Sequence, residues 1–227
     1  MTLKLMSHEL IDFLKQPPLL MLVVLPIMMS VMVISFMNEP GLELMLLPSW
    51  ILFAQVMVGL MIIAPGFIEE KEQKTLDALL ISPLSLREVI RAKASVILIF
   101  SLLSQLFVYL LNLGFTSDLF GVFVFMVIGG ILFIQVGLVV GLLLHSSKTS
   151  AALSSIIMVV LFMTATFYPQ LPEWHNVLQF IPSVVVVENM NGVFNGEFLG
   201  FELALLIGWL AVFYGIIQYL VKKELSK

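Results

Sequence analysis

The sequence predicts an all-α membrane protein of six transmembrane helices, led by an amphipathic interfacial helix. Three observations predict it. Of the 227 residues, 60% are hydrophobic and only 11% are charged, against about half and about a quarter in a soluble domain. Six separate runs reach the roughly 20 apolar residues that cross a hydrocarbon core of about 30 Å as a helix. Finally, when six spans are threaded with a cytoplasmic N-terminus, all 11 basic residues fall on the inner side, as orientation by loop lysine and arginine requires. The chain divides into an interfacial helix at 1–17 and a six-span domain at 18–227.

Residues 1–16 place Leu3, Met6, Leu10, Phe13 and Leu14 on one helical stripe, opposite Lys4, His8, Asp12 and Lys15. Pro17 and Pro18 break the chain before the first span. The pattern reads as a helix along the cytoplasmic leaflet, a surface anchor or a contact for a partner. It is not a cleaved signal peptide, because the first apolar run is a full span with no small-x-small site behind it.

The spans run from Pro18 to Met37, Leu47 to Ile68, Ala94 to Phe115, Leu119 to Leu144, Thr149 to Phe167 and Phe201 to Val221. The fifth, with Thr149, Ser150, Ser154, Ser155, Thr164 and Thr166, is the most polar. Acidic residues divide between the sides, Glu39, Glu43, Asp118, Glu173, Glu188, Glu197 and Glu202 falling outside. The sign bias therefore lies in the basic residues alone. With no cysteine, disulfides, zinc–thiolate sites and iron–sulfur clusters are excluded. No basic stripe exists away from the span flanks, which argues against a nucleic-acid partner.

One loop is organised. Glu69-Glu70-Lys71-Glu72-Gln73-Lys74 is densely charged, and Thr75-Leu76-Asp77-Ala78-Leu79-Leu80-Ile81 follows as a short amphipathic helix with Leu76, Leu79 and Leu80 on one face. Ser82-Pro83 ends it, since the residue before proline disfavours helix. Ser85-Leu86-Arg87-Glu88 is then a capping box that starts the helix into the third span. A leucine stripe between charges suits a helix seated in a groove of a partner; a charged loop that only sets topology has the same composition.

The run Glu69 to Ser85 resembles the signature of type-2 ABC exporter permeases. There an acidic-basic cluster after the second span leads into Thr-Leu-acidic-x-Leu-Leu, Ser-Pro and a helix entering the third span. The family often has glycine where this chain has Lys74. The resemblance implies a coupling segment facing a cytoplasmic ABC ATPase, with Glu70, Glu72, Lys74, Thr75, Leu76, Asp77, Leu79, Leu80, Ser82 and Pro83 as its residues. Residues 167–200 agree. They are too apolar for a solvated loop and too interrupted by Pro and Gly for a span, Val184 to Val187 being a run of only four valines. They resemble the family's re-entrant external segment, which implies roles there for Pro172, Trp174 and Pro182.

The chain contains no Gly-Lys dipeptide and hence no phosphate-binding P-loop. No cofactor is expected on this chain; ATP and Mg belong to the implied partner ATPase, and a second permease copy completes the expected assembly, in contact with membrane lipid. His8, His145 and His175 share no ligand spacing. Gly137 and Gly141, like Ala151 and Ser155, are small-xxx-small pairs that let helices approach, within one subunit or between two. Gln55, Gln105, Asn112 and Gln135 are the deepest strongly polar residues, candidates for a translocation path or for interhelical hydrogen bonds. The 14 methionines and 18 phenylalanines suit an adaptable apolar cavity or lipid-facing packing.

The functional expectation is a permease subunit of an ATP-driven exporter, moving a hydrophobic or amphipathic cargo (peptide, drug-like or lipid-linked) across the bacterial inner membrane, with both termini cytoplasmic. A permease of cytochrome-c maturation fits the length, but the chain offers no obvious haem-handling residues. An intramembrane enzyme would need a catalytic constellation at depth, and no acidic residue or histidine lies well inside a span. A non-transporting scaffold or immunity protein is opposed only by the loop motifs.

Overall fold

The computed structural model describes residues 2–37, 41–72, 85–197 and 200–225. These form helices α1 (Thr2–Leu14), α2 (Pro17–Met37), α3 (Leu42–Glu72), α4 (Leu86–Leu113), α5 (Leu119–Leu143) and α6 (Ser147–Phe167). Two 3-10 turns, Tyr168–Gln170 and Pro172–Trp174, lead to the four-residue α7 (His175–Leu178), then α8 (Pro182–Asn195) and α9 (Gly200–Leu225). Six of them, α2 to α6 and α9, are long and apolar enough to cross a membrane.

Four of the observed helices contain the expected spans, while α4 stops at Leu113, short of Phe115, and α5 at Leu143, short of Leu144; α3, α4 and α9 overrun their spans by several residues at one end or both. Extension occurs where capping or ion pairing satisfies polar groups that composition alone places outside a membrane. Helix α4 begins eight residues before Ala94, at the expected capping box: Glu88 N–H donates to Ser85 Oγ at 3.4 Å, and Ser85 N–H donates to Glu88 at 2.8 Å. Two orphan amides at the helix start are thereby satisfied. Helix α3 runs four residues past Ile68 to Glu72. Its 31 residues span about 46 Å at about 1.5 Å each, so it is longer than a hydrocarbon core of about 30 Å and projects beyond it.

Helix α3 is the axis of the fold. It packs against α2, α4, α5, α6 and α8, and 83% of its most apolar window is buried, against 17% for each of α2, α6 and α9. Close approach comes from small residues. At Gly137 of α5 an added Cβ would lie 2.3 Å from Ile63 Cγ2 and 3.1 Å from Leu60 Cα, and at Gly141 one would lie 3.1 Å from the Ala64 carbonyl oxygen. The Gly137–Gly141 pair is thus occupied in packing α5 onto α3 within the chain. Trp50 and Phe53 of α3 meet Phe162 of α6 with centroids 6.0 and 4.9 Å apart.

Helix α1 docks on α4 and α2 by a different face from the one its stripe suggests at the C-terminal turn. Phe13 is buried and stacks on Phe100 at 4.0 Å, and Leu5, Met6 and Leu10 pack beside it. Leu14 is 50% exposed, because it lies 100° around the helix from Phe13. At the opposite end, the segment from Pro172 to Leu178 and α8 are bent by 108° at their junction. Pro182 opens α8 at its first turn, where a missing N–H costs nothing. Gly196, with φ +69°, closes it in the left-handed conformation that favours glycine. Val184 to Val187 are all buried, so the valine run is the seated half of a helix.

Candidate functional site

Three successive residues at the end of α3 each reach a different helix. Lys71 Nζ donates to Glu224 of α9 at 2.8 Å. The Glu72 carboxylate accepts from the N–H and Oγ of Ser147, the first residue of α6, at 3.1 and 2.8 Å, where a negative charge also suits the helix dipole. Glu70 pairs with Lys93 of α4, and Lys93 lies 3.8 Å from Glu9 of α1. Neighbouring residues on a helix point about 100° apart, so Glu70, Lys71 and Glu72 fan outward around α3. This end of the molecule gathers α1, α3, α4, α6 and α9.

Beside the fan a cleft of about 740 Å³ separates α1 from α3 and α4, lined by Glu9, Asp12, Glu69, Glu70 and Lys93 among others. Burial pushes the Glu9 carboxyl above the ordinary carboxylate range; nearby Lys93 and His8 oppose the shift, and the Glu70 and Asp12 carboxylates add to it. Desolvation prevails because Lys93 sits closer to Glu70 than to Glu9.

The segment after Glu72 is the other half of the expected coupling site. Lys74, Thr75, Leu76, Asp77, Leu79, Leu80, Ser82 and Pro83 lie outside the described residues. Its two flanks are both tied: Glu72 to α6, and Ser85 through the capping box.

The four polar residues at depth do not converge. Gln55 and Gln105 meet: Gln55 Nε2 donates to Gln105 Oε1 at 3.0 Å and to the Phe125 carbonyl at 3.2 Å, and Gln105 Nε2 donates to Ser101 Oγ at 2.9 Å. Both glutamines are fully buried. An added Cβ on Gly129 would fall 2.6 Å from Gln55 Oε1, so that glycine is what admits the amide. Asn112 instead reaches α2, donating to Ser30 Oγ at 3.1 Å and to the Val108 carbonyl at 2.7 Å. Gln135 lines a separate groove between α4, α5 and α9. Ser30, Ser101 and Gly129 escaped the sequence reading; a glycine pair, Gly129-Gly130, within an apolar helix was the available signal.

At the opposite end Pro172 starts a 3-10 turn and Trp174 is 58% exposed. His175 stacks on Tyr168 at 4.3 Å. The bend before α8 is fastened by Trp209 of α9, whose indole N–H donates to the Phe180 carbonyl at 2.8 Å.

A protein-family model described as ABC-2 family transporter protein matches residues 29–218, from α2 to the last turns of α9. No curated protein matches the sequence.

Proposed function

Because the chain belongs to the ABC-2 family of transporter membrane proteins, we propose that it is the permease subunit of an ATP-driven exporter, working with a separate ABC ATPase and a second permease copy. The family match makes the chain a multi-pass membrane transport subunit. The fan of Glu70, Lys71 and Glu72 carries the finer reading. It stands immediately before the segment that bears Thr75, Leu76, Asp77, Leu79 and Leu80, and links it to four other helices. In this reading the segment seats in a groove of the ATPase by its leucines, and the closing of two ATPases on ATP and Mg moves it.

Orientation follows the basic residues: this end and both termini face the cytoplasm of a bacterial inner membrane. The cargo is hydrophobic or amphipathic, because the polar groups at depth are uncharged amides and hydroxyls. Half-buried Asn112 and Gln135 border the path, and Gln55 and Gln105 hold α3, α4 and α5 in register behind it. The segment around Pro172, Trp174 and Pro182 enters the outer leaflet from outside and guards the exit.

Co-purification of the chain with the ATPase encoded beside it, in mild detergent, tests the proposal. The wild type is expected to form a complex whose ATP hydrolysis is regulated by the permease. Leu76→Asp with Leu79→Asp places two carboxylates on the apolar stripe and should abolish that assembly or regulation. An ATPase that never associates, or a variant that behaves as wild type, would defeat the coupling assignment.

A further inference from the structure

A second groove opens at the same end of the molecule, on another side of the bundle, and its chemistry is the reverse of the acidic cleft under α1. It has a volume of about 360 Å³, within the range of small-molecule sites, about 300–1,000 Å³. Helices α4 and α9 both flank α5, and the groove lies between them. From α4 it takes residues 87, 90, 91, 94, 95 and 98, a single helical face at spacings of three and four. Ile134, Leu138, Ile217 and Val221 form a buried floor.

The polarity runs in one direction. Arg87 and Arg91, both exposed, stand at the mouth, and Leu98 and Ile131 lie at the inner end. Arg87 to Leu98 is about 16 Å along the helix, close to one leaflet of a hydrocarbon core of about 30 Å. Gln135 and Gln218 supply amide groups along the length. The groove therefore has the profile of one lipid: cationic at headgroup level and predominantly apolar beneath, interrupted by Ser95, Tyr214 and the two glutamine amides.

Its charge is unanswered among the described residues. No acidic residue lines the groove among the described residues. Neither guanidinium forms an ion pair with a described residue. Glu88, which feels the charge of Arg91, has its carboxylate held by the N–H and hydroxyl of Ser85. Moreover, Arg87 lies in the first turn of α4 and Arg91 one turn further on, at the end of a helix whose dipole is already positive over that first turn. Two cations there are misplaced for the helix and well placed for an external anion. General enrichment of basic residues at this end does not account for the groove, since the cleft under α1 collects Glu9, Asp12, Glu69 and Glu70.

We propose that this groove is a binding site for an anionic phospholipid, its phosphate between Arg87 and Arg91 and an acyl chain along Ile134 and Ile217. Basic pockets between transmembrane helices take acidic headgroups in this way. The inference rests on the permease reading only for which leaflet supplies the lipid. Because Ser85 caps α4 directly after the coupling segment, an occupant here also restrains the helix that leaves that segment.

Native mass spectrometry of the delipidated full chain in mild detergent, titrated with palmitoyl-oleoyl-phosphatidylglycerol or the matching phosphatidylcholine, tests it without any ATPase. The wild type should retain the anionic lipid preferentially. Arg87→Ala with Arg91→Ala should weaken its retention about thirtyfold and leave phosphatidylcholine unchanged, whereas Arg87→Lys with Arg91→Lys should keep most of it. Ile131→Trp, which fills the groove from its half-open wall, should displace both lipids. Lys148→Ala, at the same end but outside the groove, should change nothing. Unaltered phosphatidylglycerol retention in the double alanine variant would overturn the proposal, as would an equal loss in Lys148→Ala. Retention in Ile131→Trp would put the anion on the arginines without a lipid in the groove, and a groove covered by a second copy would appear as a lipid-free dimer; both outcomes overturn it. A failed ATPase complex with intact lipid selectivity would sink the permease reading instead.

Discussion

Gly137→Ala is the smallest change that tests how α5 and α3 are held together. The added methyl would start 2.3 Å from Ile63 Cγ2, with Gly59 O and Leu60 Cα each at 3.1 Å. Carbon atoms rest at about 3.5–4.0 Å, so something must move by more than an ångström. Ile63 is fully buried, and a β-branched residue in a helix has one strongly preferred rotamer. The helices must part instead. Overpacking of this kind costs about 1–3 kcal/mol, and the better helix propensity of alanine returns up to about 1 kcal/mol. With the full return the net loss is about 0–2 kcal/mol, or a melting temperature lower by up to about 8 °C at about 2–4 °C per kcal/mol. Gly208→Ala and Gly215→Ala are the controls: an added Cβ at either meets nothing within 4 Å, so each should melt at or slightly above wild type. Thermal unfolding in detergent, followed by tryptophan fluorescence, reads all three. In Ile63→Ala with Gly137→Ala the clashing atom is gone, so the double variant should lose less than the sum of the singles. If Gly137→Ala melts with Gly215→Ala, the close approach is not what seats α5.

Gln55→Leu strands Gln105 Oε1 and should cost about 1–3 kcal/mol, whereas Gln55→Leu with Gln105→Leu should cost less than the two singles together, measured by denaturation in mixed micelles. Ser85→Ala removes a capping oxygen worth about 1 kcal/mol, so amide hydrogen exchange at Glu88 and Val89 should quicken about fivefold, with α5 unaffected. Glu9 binds its proton more tightly folded than unfolded, so stability should rise as pH falls from neutral through its raised pKa toward the ordinary carboxylate value of 4.5. Glu9→Gln should flatten that rise in a pH series of melting curves, and an unchanged slope would remove Glu9 as its source.

Much of this fold was legible because the membrane simplifies the problem. A spanning helix must satisfy its own backbone, so apolar length alone marked six helices, and the Ser85 box marked the start of α4 before any packing was known. The failures have one physical origin. Helix ends beyond the apolar run are fixed by partners distant in sequence: Glu72 extends α3 by capping α6, 75 residues away. The stripe marked Met6, Leu10 and Phe13 on the docking face of α1, but it could not tell that Phe13 stacks on Phe100 while Leu14 is left exposed. Gln55, Gln105, Asn112 and Gln135 look equivalent in a sequence, since depth is readable and azimuth is not. Only packing shows that two of them bond each other while the others face elsewhere. The small-residue pair at Gly137 and Gly141 announced a close approach without saying to what.

If residues 73–84 are the coupling segment proposed above, the fan at residues 70–72 bears on how a push there would travel. The Lys71–Glu224 and Glu70–Lys93 pairs are partly buried, so desolvation offsets much of their attraction, and these contacts are poor candidates for holding the fold together. What they supply is direction. Helix α3 alone would swivel or bend if moved at its end, particularly with Pro65 about two turns away. With Glu70 linked to α4 by way of Lys93, Lys71 to α9 and Glu72 to α6, a displacement at 73–84 reaches four helices at once. On its far side the segment meets Ser85, where the capped first turn of α4 resists fraying. In the proposed coupling, a segment tied at both flanks to different helices would pass displacement to the bundle as a unit. The buried Gln55–Gln105 pair, farther along α3 and α4, then keeps those two helices moving as one.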